Sequence, residues 1–205
     1  MNPVKKPQPL TQRKRVTMTP AAVRVLEAAG RLFYANGIHA VGVDRIAAEA
    51  GVTKKTLYDR FGSKEQLVVE YLAERDERWQ AFLAARWDAV PKEPTARVLA
   101  VFDASHAWAT EVGSRGCSMI NAHAEINDPA HPAYPVLVGQ KAWMLDLFTG
   151  LAEEWAPGRG AELGRTLLLL HEGALVAHGM KMFAEPVLHA REQARAVLAV
   201  AGGAG

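Results

Sequence analysis

From Thr19 to Leu198 the apolar side chains recur at three- and four-residue spacing, and no stretch bounded by turn residues alternates apolar with polar. That periodicity confines the chain to helices, so strands are not expected. Thr19-Pro20 is a helix start, a capping hydroxyl before a proline at the first helical position. Val23, Leu26, Ala29, Leu32 and Phe33 follow at helical spacing, and Gly37 closes the helix. A short helix is predicted from Val43 to Ala50; Gly51 breaks it, and Thr53 caps a second running to about Phe61. Ser63 with Gln66 has the spacing of a capping box. It opens one long helix, 63–87, carrying Leu67, Val68, Tyr71, Leu72, Trp79, Phe82, Leu83 and Trp87. Beyond Pro91–Pro94 the spacing predicts helices over 95–112, from about Gly116 to before Asn127, and over 133–155, 160–183 and 187–200.

Composition narrows the class. The chain has 205 residues, 49% of them hydrophobic and 22% charged, enough to bury a substantial core. A single cysteine, Cys117, excludes an intrachain disulfide and any multi-cysteine metal site. No apolar run approaches the ~20 residues of a membrane span. The first thirty residues lack a secretory layout, so a cytoplasmic protein without a membrane partner is expected.

The net charge of +2 hides a strong asymmetry. Residues 1–64 carry 12 Lys and Arg against 4 Asp and Glu, a surplus of +8, whereas residues 65–205 carry 12 against 18, or −6. A basic module joined to an acidic body points to a polyanion, with nucleic acid ahead of a membrane surface. Lys5, Lys6, Arg13, Lys14 and Arg15 precede the first acid, Glu27, and Pro3, Pro7 and Pro9 argue against a helix there. Residues 1–19 therefore read as a mobile basic arm.

Two short helices around a glycine turn, packed on a longer one, are what a helix-turn-helix needs. Ile46, Ala47, Ala50, Val52 and Leu57 supply its core, and the small alanines let the second helix cross closely. Thr53, Lys54, Lys55, Thr56, Tyr58, Asp59 and Arg60 remain on a helix that is polar on its outer side.

The run GIHAVGVDRIAAEAGVTKKTLYDRFGSKEQL, with LEAAGRLFYANG before it, resembles the DNA-binding region of the TetR (tetracycline repressor-like) family over about residues 20–72. The matching residues are Ile46-Ala47, Ala50-Gly51-Val52, Leu57-Tyr58, Phe61, Lys64-Glu65 and Leu67. RGCSMINAHAE is similar, more loosely, to a segment of many members. The resemblance implies a homodimer that blocks or tunes transcription, with a C-terminal helical domain binding a small effector. By position, Tyr58 and Lys64 match phosphate contacts, and Thr53, Lys54, Lys55 and Thr56 occupy the base-reading end of the recognition helix. Arg45 and Arg60 join them as expected DNA contacts. The sequence departs at Val41 and Gly42, where the family usually places a hydroxyl that caps the helix and touches phosphate.

The predicted fold is all-α. A basic arm (1–19) leads into a three-helix helix-turn-helix domain (20–65), which the long helix joins to a ligand-binding and dimerisation domain (66–205). Residues 163–182 are apolar nearly all round, as a helix buried on every side would be. With the helix over 187–200 they resemble the family's contribution to a four-helix dimer interface, and Gly173, Ala174, Ala177 and Gly179 would admit a close neighbour. Phe102, His106, Trp108, Met119, His123, Trp143, Phe148 and Met180 are expected to line an apolar pocket. Glu111 and Glu125 lean toward a neutral or cationic ligand.

Signs of an enzyme are missing. His171-Glu172 begins HExxH, but the second histidine position is Leu175; His123-x-Glu125 has no P-C-x-x-C after it. No dinucleotide, Walker or nucleophile-elbow sequence occurs. No cofactor or metal is expected. The reading is a ligand-responsive regulator, a repressor that binds a pseudo-palindromic operator in double-stranded DNA as a dimer and is released by a small apolar or aromatic inducer. The alternative is a basic structural or membrane-surface protein, with a non-metal enzyme as a third reading.

Overall fold

The computed structural model describes residues 15–202 apart from 88 and 114. The basic residues Lys5, Lys6, Arg13 and Lys14 and the last three residues lie outside the described part. Among the described residues every regular element is an α-helix: α1 (Pro20–Asn36), α2 (Val43–Glu49), α3 (Lys54–Phe61), α4 (Lys64–Trp87), α5 (Pro94–Glu111), α6 (Ser118–Glu125), α7 (Tyr134–Trp155), α8 (Gly160–Gly179) and α9 (Pro186–Gly202). They fall into two compact units. The first takes the described chain up to Glu77 with Ser118–Gln140; the second takes Arg78–Cys117 and the described residues from Lys141 onward. None of these helices is long and apolar enough to cross a membrane.

In the first unit, local chemistry sets the helix starts. Thr19 Oγ1 accepts the Ala22 N–H at 3.3 Å, with Pro20 at the first helical position. The buried face of α1 runs through Ala22, Val25, Leu26, Ala29, Leu32 and Phe33. Val23, expected on that face, is 39% exposed, because Ala22 and Val25 already complete the three–four spacing around it. Thr53 caps α3 by accepting the Thr56 N–H at 3.1 Å, and Gly51 takes φ 62 in the turn from α2. Ile46 and Leu57 are wholly buried at the α2–α3 crossing, beside Ala47 and Ala50.

Ser63 caps α4, accepting the Gln66 N–H at 3.0 Å. Only half of a capping box forms, because the Gln66 amide donates instead to Glu70 Oε1 at 3.1 Å. Glu70 is 0% exposed, and a carboxylate so placed needs partners. It receives Arg15 Nε at 2.7 Å and the Val16 N–H at 3.1 Å, and Arg15 also pairs with Glu77.

The second unit packs α5, α8 and α9 with parts of α4 and α7 around Phe102, Met144, Phe148, Leu151, Leu167 and Leu198. Gly173 is open to solvent in the single chain, whereas α8 comes close to the Arg115–Gly116 backbone at Gly179 and to α7 at Gly164. A Cβ there would lie 2.7 Å from the Cα of Thr149 on α7. The helix also stops at Gly179 rather than 183: Lys181 takes φ 54, which turns the backbone out of the helix although Met182 and Phe183 continue an apolar pattern.

Candidate nucleic-acid interface and the polar core of the body

The helix-turn-helix of the first unit presents α3 to solvent. Leu57 and Phe61 hold it to the core from one side, leaving Thr53, Lys54, Lys55, Tyr58 and Arg60 exposed on the other and Thr56 half-buried. Arg45 is exposed on α2, and Lys64 opens α4 with its ammonium 6.0 Å from the Phe33 ring. The expected DNA contacts thus sit together on α2, α3 and the start of α4. Two lysines are already engaged: Lys54 Nζ lies 3.0 Å from Asp44 Oδ2 and Lys55 Nζ 2.8 Å from Asp59 Oδ2. Exposed pairs of this kind are worth ~1 kcal/mol or less, so a phosphate or a guanine edge can displace them. The Thr53 hydroxyl is held at the cap, 2.9 Å from Thr56 Oγ1. α2 begins at Gly42 with no side-chain cap, and Val41 is fully buried. The hydroxyl missing from the sequence has no local substitute.

The residues proposed to line a ligand pocket fall in both units. Phe102 and Phe148 meet at 5.8 Å in the second unit, and His171 stands edge-on to both. Trp108 packs on Phe82 at 5.0 Å and Trp79 at 5.8 Å, while His106 and Trp143 are half-buried. Met119 and His123 belong to the first unit, where His123 lies 5.8 Å from the Tyr134 ring. Met180 is 67% exposed at the end of α8. Glu111 pairs with Arg86 at 3.1 Å, and Glu125 binds backbone N–H groups, so both acids are engaged within the protein.

What the sequence did not single out is a polar chain through the second unit. Ser105 Oγ is 2.7 Å from His171 Nε2, and His171 Nδ1 is 3.2 Å from Glu172 Oε1. Glu172 Oε2 is 2.6 Å from Lys141 Nζ, which lies 3.2 Å from Cys117 Sγ. A carboxylate only accepts, so the hydrogen between His171 and Glu172 sits on Nδ1. Burial would push the Glu172 carboxyl up, but the His171 hydrogen bond and the Lys141 charge hold it down at about 2. Burial likewise disfavours the Lys141 ammonium, yet Cys117 and Glu172 beside it raise its pKa above the ordinary lysine value. The readable signal was Lys141 itself, a lone cation in a mostly apolar helix.

The depressed carboxyl makes a pH prediction. Its stabilising contribution is complete above the ordinary value of 4.5 and is lost as pH falls from there to about 2. The loss amounts to at most about 3 kcal/mol. Urea unfolding from pH 5 downward should show wild type losing more stability than Glu172→Gln, which starts lower at neutral pH. Parallel losses in the two proteins would contradict it.

An all-helical chain presenting an exposed, lysine-bearing second helix of a helix-turn-helix is a DNA-binding transcription regulator in form. The profile of bacterial regulatory proteins of the tetR family matches residues 25–71. SCO4454, a TetR-family transcriptional regulator from Streptomyces coelicolor, is similar at 35% identity and a TM-score of 0.83. The match covers 89% of this chain and 96% of that one. A candidate tetR-transcriptional regulator of Streptomyces avermitilis, sav143, shares 30% identity over 87% of this chain and 99% of its own, with a TM-score of 0.68. A TetR regulator of Chloroflexus aurantiacus shares the fold at 22% identity, covering 87% of this chain and 94% of its own, with a TM-score of 0.76. No curated protein sequence matches. The chain belongs to the TetR family of transcriptional regulators and is not an enzyme.

Proposed function

We propose that the protein is a ligand-responsive repressor that binds a pseudo-palindromic operator as a homodimer and is released by a small apolar or aromatic inducer. The exposed face of α3 carries the reading: Lys54, Lys55 and Arg60 project from a helix whose other side is fixed by Leu57 and Phe61. A helix so held can enter a major groove, and lysine can bond guanine O6 and N7 there. The two-fold form is supported by the exposed apolar side chains Leu169 and Val176 on α8, with Met180 just beyond its end. The body's interior supports the effector: aromatic rings beside the Ser105–His171–Glu172–Lys141 chain offer apolar contact with few, directed polar groups.

Variants on the operator selected by the wild-type protein test the DNA contacts. Lys64→Ala should weaken binding to all sequences alike and reduce the salt slope by about one. Lys54→Ala should cost about 1–3 kcal/mol on the preferred site and relax preference at one half-site position. Equal loss on every sequence for both variants would remove Lys54 from base reading. An inducer must bind the released state better, with a coupling of ~1–3 kcal/mol, and operator DNA must weaken inducer binding by the same factor. Hits from a thermal-shift screen that leave operator affinity unchanged would sink the inducer role.

A further inference from the structure

Glu125 closes α6, the helix of the RGCSMINAHAE segment, and its carboxylate spans two consecutive amides of the α1–α2 loop. The Ile38 N–H donates to Oε1 at 2.8 Å and the His39 N–H to Oε2 at 2.7 Å, from 87 and 86 positions earlier in the chain. Gly37, at φ 91, sits against the same group: a Cβ there would lie 3.0 Å from Oε1. Ile38 is buried, so the loop is fixed by its side chain on one side and by a charged acceptor on the other. Four residues on, Gly42 starts α2 without a side-chain cap. The entrance to the helix-turn-helix is therefore held from α6 rather than from its own N-terminus.

We infer that Glu125 is a positioning residue for DNA recognition, acting through the Ile38 and His39 amides to set the approach of α2 and α3. The inference rests on the function proposed above and deepens it. Both carboxylate oxygens are used, so the interaction is charge-assisted and has a fixed direction. Without it two amides lose their partner, and the loop leading into α2 gains freedom that a groove-fitting helix cannot tolerate.

Charge alone predicts the opposite of positioning. Removing a carboxylate from a unit that binds a polyanion should strengthen binding; loss of positioning should weaken it. The test uses the full chain and the DNA fragment that wild type enriches most from a random pool, titrated over a salt series. Glu125→Ala should bind it about tenfold or more weakly, with the wild-type salt slope, because no phosphate contact is lost. Glu125→Gln, which keeps one acceptor, should fall between, and hydrogen exchange at the Ile38 and His39 amides should quicken in the same order. If either folded variant binds as tightly as wild type or tighter, the inference is overturned; should Glu125→Ala not fold, Glu125→Gln decides on the same terms. A wild-type protein that enriches no fragment would overturn the proposed function itself, and this inference with it.

Discussion

Replacing Gly164 by valine is expected to lower the melting temperature by roughly 6–12 °C. A Cβ at Gly164 would stand 2.4 Å from Thr149 Oγ1, 2.7 Å from its Cα and 2.8 Å from its backbone nitrogen. Two of those atoms are backbone, so no rotamer change relieves the contact and α7 and α8 must separate. Gly160, one turn earlier, is confined in the same way by the Thr149 carbonyl oxygen, 2.9 Å from its would-be Cβ. The seam between the helices therefore has no slack. Overpacking costs ~1–3 kcal/mol and reaches its upper end where backbone is displaced. A chain of this size loses about 2–4 °C per kcal/mol. Scanning calorimetry should rank wild type above Gly164→Ala and Gly164→Val lowest. A valine variant melting within about 2 °C of wild type, less than one such step, would contradict the packing.

Charging the outer face of α8 should abolish the dimer and, with it, tight operator binding. Leu169, Gly173 and Val176 follow one another at spacings of four and three on one helix face, and the exposed Met180 lies just past the helix end. Leu169 is 74% exposed in the single chain, and Val200 on α9 adds another uncovered side chain. Contiguous exposed apolar side chains of this size mark an interface. In a two-fold dimer each substitution appears twice, so Leu169→Asp with Val176→Asp places four carboxylates where water is excluded. Both side chains face solvent in the single chain, so its own folding should be nearly unaffected. The double variant is expected to sediment as a folded monomer at micromolar concentration. Its operator affinity should fall on the order of a hundredfold, because two half-sites are no longer held together. A variant that remains dimeric would place the interface elsewhere.

Local signals in the sequence located the helix-turn-helix well. The caps Thr19, Thr53 and Ser63 work within one turn of the chain, and each makes the hydrogen bond its position predicts. The periodicity of α3 likewise separates Leu57 and Phe61 from the exposed residues without reference to anything distant. Where a residue's role depends on a partner far along the chain, spacing was silent. Glu125 reads as a body acid, yet it serves amides in the α1–α2 loop. Apolar character alone also failed at Val23, which is exposed, and beyond Gly179, where Lys181 turns the backbone while Met182 and Phe183 keep the pattern. Aromatic and methionine content by itself does not tell a cavity lining from ordinary core, so the expected pocket residues carry no such local signal.

The central claim is that the α3 face reads DNA sequence, and selection from a random pool of double-stranded fragments tests it most directly. The purified protein, at near-physiological salt, should enrich one motif of two inverted half-sites whose centres lie about one helical turn, ~34 Å, apart. Its affinity should drop steeply as salt rises. A pool that emerges with no enriched motif, or protein that binds all fragments alike, would contradict the account.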